Sequence, residues 1–234
     1  MKLSSAVARI AILGLLVAVP AKSHAQIINT FSVWNGVDDA FPFGSPNTAT
    51  YGETITAPGG VLNDFSFWFT NGTNGGALQY SAYVGTWTGT AVGAVLWQSG
   101  GTFTGNGTSA FVQQQFNTGG LALTSGQVYA LFVNASPYIT AHPSTTATDF
   151  LGATLTSTYA GGAYIYTNNG NDFNGIFNSW DQPGGTGAFC GTCDLALVAH
   201  FSAGTVTPEP ATMTLFATGL VGLAASRRRR KRAA

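Results

Sequence analysis

The run Phe65-Ser66-Phe67-Trp68-Phe69-Thr70 places a phenylalanine at every second position, and only a β-strand puts such residues on one face. It follows a Pro58-Gly59-Gly60 turn signal. Parity then puts Trp68 on the opposite face with Ser66 and Thr70. That polar company suits a partly exposed tryptophan, and a second buried sheet face suits it as well.

Other segments follow the same rhythm. From Ala77 to Trp87, Tyr80, Ala82 and Val84 alternate with Gln79, Ser81 and Tyr83. The intervening Asn71-Gly72-Thr73-Asn74-Gly75-Gly76 is a strong turn signal, so these two strands are predicted to form a hairpin. Further strands are predicted over Ala91 to Gln98, Thr108 to Phe116, Gly162 to Thr167 and Asp194 to Ser202. Gln127 to Asn134 is apolar on both faces, which predicts a central, doubly covered strand. No stretch of this middle region sustains a helical period. The expected fold is all-β: a single antiparallel β-sandwich of jelly-roll kind over residues 26–205. The 16 Phe, 8 Tyr and 5 Trp supply ample material for its core.

The two ends read differently. Lys2 and Arg9 accompany the apolar stretch Ile10 to Val19, and Ser23-His24-Ala25 offers small residues before a cut at Gln26. This is the layout of a secretory signal peptide over residues 1–25, a short helix handed to the Sec translocon. At the other end, Pro208-Glu209-Pro210 leads into the apolar run Ala211 to Ser226 and then Arg227, Arg228, Arg229, Arg230, Lys231 and Arg232. As a hydrophobic helix, residues 211–226 would reach about 24 Å, against roughly 30 Å of hydrocarbon core. The basic cluster would hold its end in the cytoplasm. A weak membrane stop suits transient retention followed by cleavage; a permanent anchor is the other reading.

The Pro208-Glu209-Pro210 motif, the threonine-containing apolar stretch with Gly219 and Gly222, and the terminal arginines together resemble a PEP-CTERM sorting domain over residues 206–232. The resemblance implies recognition by an exosortase-type processing enzyme in a Gram-negative bacterium that makes exopolysaccharide. It further implies an inner-membrane intermediate, then delivery to the cell surface or extracellular matrix. Tyr51-Gly52-Glu53-Thr54-Ile55-Thr56-Ala57-Pro58-Gly59-Gly60, the Phe65 strand and Leu123-Thr124-Ser125-Gly126-Gln127-Val128-Tyr129 also resemble the domains common in PEP-CTERM proteins. These are similar to jelly-roll or carbohydrate-binding-like sandwiches. That likeness implies a fold, not a task.

Charge narrows the chemistry. Nine Lys and Arg residues balance nine Asp and Glu, yet between Gln26 and Ser226 there is no Lys or Arg at all. Nucleic-acid binding, a Schiff-base lysine and an arginine clamp are therefore excluded for the exported part. Cys190-Gly191-Thr192-Cys193 is the only cysteine pair, and in an exported protein it reads first as a local disulfide. A thioredoxin-like role would need a helix that the sequence does not offer. A zinc site would have to enlist His142 and His200, of which His200 reads as an ordinary sheet residue.

Asn168-Asn169-Gly170-Asn171-Asp172-Phe173-Asn174-Gly175 is the richest oxygen-bearing loop, and Asn171, Asp172 and Asn174 are its candidate ligands for a structural calcium. It fails the EF-hand pattern at Gly170, and no other cofactor is expected. Trp68 and Trp180 are the candidates for stacking on sugar rings. The expectation is a non-catalytic surface or matrix protein with an adhesive or structural role in an exopolysaccharide or biofilm setting, with polysaccharide as its possible ligand. The alternative is a secreted polysaccharide hydrolase using two carboxylates among Asp38, Asp39, Asp64, Asp149, Asp172 and Asp181.

The absence of Lys and Arg gives a direct check. The exported form is expected to begin near Gln26, to lack the basic tail, and to survive trypsin whole even when unfolded in urea. Intact mass before and after digestion reads all three, and a mature species ending at Ala234 would overturn the processing expectation.

Overall fold

The computed structural model describes residues 25–40, 42–44, 48–70, 77–104, 109–139, 149–181, 193–203 and 218–219. The chain divides into two units, one of Met1–Lys22 with Thr205–Ala234 and the other of Ser23–Gly204. Residues 1–24, nearly all of the stretch expected to be a signal peptide, the motif Pro208-Glu209-Pro210 and nearly all of 211–226 lie outside the described residues. Among the described residues, no helix is long and apolar enough to cross a membrane.

Among the described residues, the Ser23–Gly204 unit has twelve strands. They are β1 (Gln26–Asn29), β2 (Thr50–Thr56), β3 (Val61–Thr70), β4 (Ala77–Trp87), β5 (Val92–Thr104), β6 (Val112–Ala122), β7 (Val128–Asn134), β8 (Phe150–Leu151), β9 (Ala153–Thr154), β10 (Tyr164–Thr167), β11 (Asp194–Leu195) and β12 (Leu197–Ser202). One sheet runs β1-β12-β3-β6, with β8 also paired to β3; the other runs β10-β2-β7-β4-β5; β9 and β11 form a small third ladder. All of these pairings are antiparallel.

The pairing β1 with β12, β2 with β7, β3 with β6 and β4 with β5 is that of one long hairpin rolled into two facing sheets. That is jelly-roll order, as the sequence predicts. The central strand β7 is buried from Tyr129 to Asn134, also as predicted.

The predicted hairpin of β3 with β4 is not formed. β3 pairs with β6 and β12, whereas β4 pairs with β5 and β7. Both strands turn apolar rows inward from opposite sheets, so that the rings of Phe69 and Tyr80 stack with centroids 5.2 Å apart. The tight turn lies one strand later. Thr88 N donates to Ala91 O at 2.9 Å, and Gly89 takes the positive φ that the reversal needs.

The core between the sheets is aromatic. Phe43, Tyr51, Phe65, Phe67, Phe69, Tyr80, Phe103 and Phe116 meet there with Leu62, Leu78 and Leu131. A second apolar cluster covers the outer face of the β10-β2-β7-β4-β5 sheet. There Ile176 and Trp180, from the segment carrying the 3-10 turn Phe173–Phe177, pack with Tyr83, Phe132 and Ile165.

Where β10 meets β2 there is no space for a side chain. A Cβ on Gly162 would lie 1.6 Å from the backbone oxygen of Thr54. Gly162→Ala is therefore expected to cost about 3 kcal/mol of stability, at the upper end for overpacking, because a backbone atom cannot step aside. Urea unfolding of the variant checks this.

Candidate ligand-binding face

Parity fixes what the β1-β12-β3-β6 sheet shows to the outside. Phe65, Phe67 and Phe69 point inward, so Ser66, Trp68 and Thr70 point outward. Register then sets two rows across four strands. One row is Gln115, Ser66, Val198 and Asn29, and the other is Asn117, Asp64, His200 and Ile27. Gln113 stands beside Trp68, and its Nε2 donates to Ser66 Oγ at 3.0 Å. Gln113, Gln115, Asn117, Asn29 and Ile27 are exposed. His200 Nδ1 meets Asp64 Oδ1 at 2.7 Å, with the imidazole side chain 41% exposed.

An aromatic cluster caps one end of these rows. Phe31 stacks on Trp68 with centroids 4.0 Å apart and planes 15° from parallel, while remaining 38% exposed. Trp34 meets Phe31 at 5.8 Å and Phe111 edge-on at 4.7 Å. Gly152 makes room for the Trp34 ring, since a Cβ there would lie 2.6 Å from Cζ2. Trp34 Nε1 donates to Asp38 O at 2.7 Å, which fixes the indole. Thr30 anchors the 3-10 turn Phe31–Val33: its N–H donates to Leu197 O, and its Oγ1 accepts from Leu197 N at 2.8 Å. The arrangement offers an aromatic surface bordered by neutral amides, with the His200–Asp64 contact further along.

The sequence-predicted stacking residues are not themselves open. Trp68 is buried beneath Phe31, so the second buried face is the reading that holds for it. Trp180 is 4% exposed, its Nε1 donates to Ile176 O at 2.6 Å, and Phe132 and Trp87 close on it edge-to-face. Neither ring can stack on a sugar where it stands. Phe31, Trp34, Phe111 and Gln113 were not predicted for this face. The only signal for it was the parity of Trp68, because the covering rings arrive from loops distant in sequence.

The Asn168–Gly175 loop is occupied by its own turn chemistry. Asp172 Oδ1 accepts from Asn174 N at 2.9 Å, and Asn169 Nδ2 donates to Asp172 O at 2.7 Å. Asn169 Oδ1 accepts from Thr50 Oγ1 at 2.8 Å. Among the described residues, no three His, Cys, Asp or Glu side chains come together as a metal site. Cys193 is buried and disulfide-bonded, while Cys190 and His142 lie outside the described residues.

The acids are dispersed. Asp64 pairs with His200, Asp172 caps its turn, and Asp181 exchanges backbone hydrogen bonds with Tyr166. Asp38 accepts from Asn35 Nδ2 at 2.7 Å beside Asp39. The closest carboxyl partners are Glu53 and Asp194, and both are fully buried. Glu53 points inward with Tyr51 and Ile55, and its Oε2 accepts from Leu195 N at 2.9 Å. Thr158 N, Tyr159 N, Thr158 Oγ1 and Ser157 Oγ all donate to Asp194. Asp149 is also buried, with neither carboxyl oxygen hydrogen-bonded.

Residues 206–230 match the family described as the PEP-CTERM protein-sorting motif. No curated protein matches the chain by sequence. Among solved structures, the chain is similar to the clostridial cysteine protease Cwp84 after propeptide cleavage, with 12% identity and a TM-score of 0.49 over 76% of this chain and 40% of that one. It is also similar to a structure of the cysteine protease and lectin-like domains of Cwp84, a surface layer associated protein of Clostridium difficile. There the identity is 13% and the TM-score 0.44, over 67% of this chain and 32% of that one. The chain thus spans less than half the length of either structure.

The buried carboxyl groups set a pH response. Burial, reinforced by Asp194, holds Glu53 well above the usual carboxyl range. Burial pushes Asp149 up to about 7, and burial followed by the charge of Asp38 brings Asp39 to about 6. Each group holds its proton more tightly folded than unfolded, so the folded chain carries extra protons between the ordinary carboxyl pKa and the raised values. Stability is therefore greatest at the acidic end of that window and falls as pH rises through it. The thermal midpoint is expected to be higher at pH 5 than at pH 8, with Asp149 alone contributing on the order of 2 kcal/mol. Asp149→Asn is expected to flatten that decline, which melting curves at the two pH values measure.

Proposed function

We propose that this exported chain, with its PEP-CTERM sorting motif at 206–230, is a non-catalytic surface or matrix protein that binds polysaccharide through the outer face of the β1-β12-β3-β6 sheet. The motif implies export to the cell surface or extracellular space and recognition by an exosortase-type enzyme. An adhesive or structural role among exopolysaccharide chains then places the open sheet face against its ligand.

The observation that supports this reading most is the half-open Phe31 ring seated on Trp68, with Gln113, Gln115 and Asn117 exposed nearby. An aromatic face suits the apolar face of a pyranose, and side-chain amides both donate to and accept from hydroxyls. On the opposite sheet, Trp180 and Ile176 pack over the outer face at Tyr83, Phe132 and Ile165.

The test is affinity electrophoresis of the exported protein through gels containing polysaccharide from its own producer. Phe31→Ala is expected to weaken retardation by about tenfold, the loss of one stacking anchor. Phe177→Ala, on the turn at the opposite sheet, serves as the control and is expected to leave it unchanged. Equal retardation of the wild type with and without the polysaccharide would end the reading.

A further inference from the structure

Resting on that reading, we infer that the glycan taken by this face is neutral, without uronate, sulfate or phosphate groups. The argument is one of charge. No Lys or Arg occurs between Gln26 and Ser226, so the face has no permanent cation to meet an anionic substituent. Proteins that hold polyanionic chains do so with clustered Lys and Arg, through charge-assisted hydrogen bonds to carboxylate, sulfate or phosphate oxygens.

His200 is the one group among the described residues of this face that can become positive. Its Nδ1 already lies 2.7 Å from Asp64 Oδ1. A proton gained by the imidazole would be balanced by that carboxylate, so acidification does not turn the row into an anion site. Asp38, at the aromatic end, adds a negative charge beside Trp34 and Asn35. A uronate or sulfate laid along the Asn117-Asp64-His200-Ile27 row would meet the Asp64 carboxylate, with the His200 Nδ1 already turned to that carboxylate.

Everything else on the face is neutral and suited to hydroxyls. Gln113, Gln115, Asn117 and Asn29 supply amides, and Ser202 a hydroxyl whose Oγ donates to Asn63 Oδ1 at 3.0 Å. Phe31 and Ile27 supply exposed apolar surface. Binding of this kind is insensitive to salt, unlike attraction between exposed charges.

The test sets the exported protein in gels holding a neutral glucan, a neutral galactomannan, a polyuronate, a sulfated dextran or chitosan, each at low and high salt. The expected result is retardation by at least one neutral polymer that salt leaves unchanged, and none by the polyuronate or the sulfated dextran. Retardation by either polyanion would overturn the inference while leaving polysaccharide binding intact. Retardation by chitosan alone, lost in salt, would overturn it in favour of a cationic ligand. Retardation by no polymer would overturn both the inference and the binding reading beneath it. Gln115→Lys, at an exposed position in the Gln115-Ser66-Val198-Asn29 row, is expected to create polyuronate retardation that salt abolishes. Its failure to do so would overturn the claim that missing positive charge is what excludes acidic glycans.

Discussion

The phenylalanine row of β3 is the constraint on which the rest of the domain depends. Phe65, Phe67 and Phe69 are each buried; Phe65 meets Phe116 and Phe67, and Phe69 meets Phe43 and Tyr80. Because side chains alternate strictly along a strand, burying this row forces Ser66 and Trp68 to the other side. A slip of one residue would place three phenylalanines in water. The outer face is thus a consequence of the inner one. Phe31 and Trp34 then cover the tryptophan that parity sends outward, and in doing so assemble the aromatic surface.

A second constraint is that this fold buries acids with no Lys or Arg to pair them. Glu53 cannot leave the interior, because it shares a face with Tyr51 and Ile55 on a strand covered on both sides. The domain answers in two ways. Around Asp194 it brings two backbone N–H groups and two hydroxyls, and Leu195 N turns to Glu53. Where donors are missing, as at Asp149, the group holds its proton instead. Burial is thus the first cause of the raised values at Glu53 and Asp149.

Much of the architecture was legible because strand periodicity reports directly on which face is buried. The all-β class, the inward phenylalanines and the doubly covered β7 all follow from local alternation. The order in which strands meet does not. Asn71 to Gly76 carries the composition of a hairpin turn, yet the flanking strands belong to opposite sheets. What decides this is the need to bring Phe69 onto Tyr80, a long-range packing term that turn composition cannot encode. The candidate face was legible only as the parity of Trp68. Phe31, Trp34 and Phe111 come from segments whose contacts depend on the completed sheet and on the space left by Gly152. Trp180 was misleading for a related reason: a tryptophan in a polar loop reads as exposed until the loop folds back over Phe132.

Charge segregation along the chain ties address to surface. Every Lys and Arg lies at Lys2, Arg9, Lys22 or within 227–232, the segments whose reading is about crossing or stopping in a membrane. The sandwich between them has only acids and two histidines, one of which, His200, is set against Asp64. Anionic lipid surfaces attract clustered basic residues, at about 1 kcal/mol for each one near the surface. A domain without them feels no such pull. Once parted from its basic ends, it would neither adhere electrostatically to an anionic envelope nor exchange counterions with an acidic matrix. What remains for recognition is shape, apolar contact and neutral hydrogen bonding, the means that the outer face of the β1-β12-β3-β6 sheet provides.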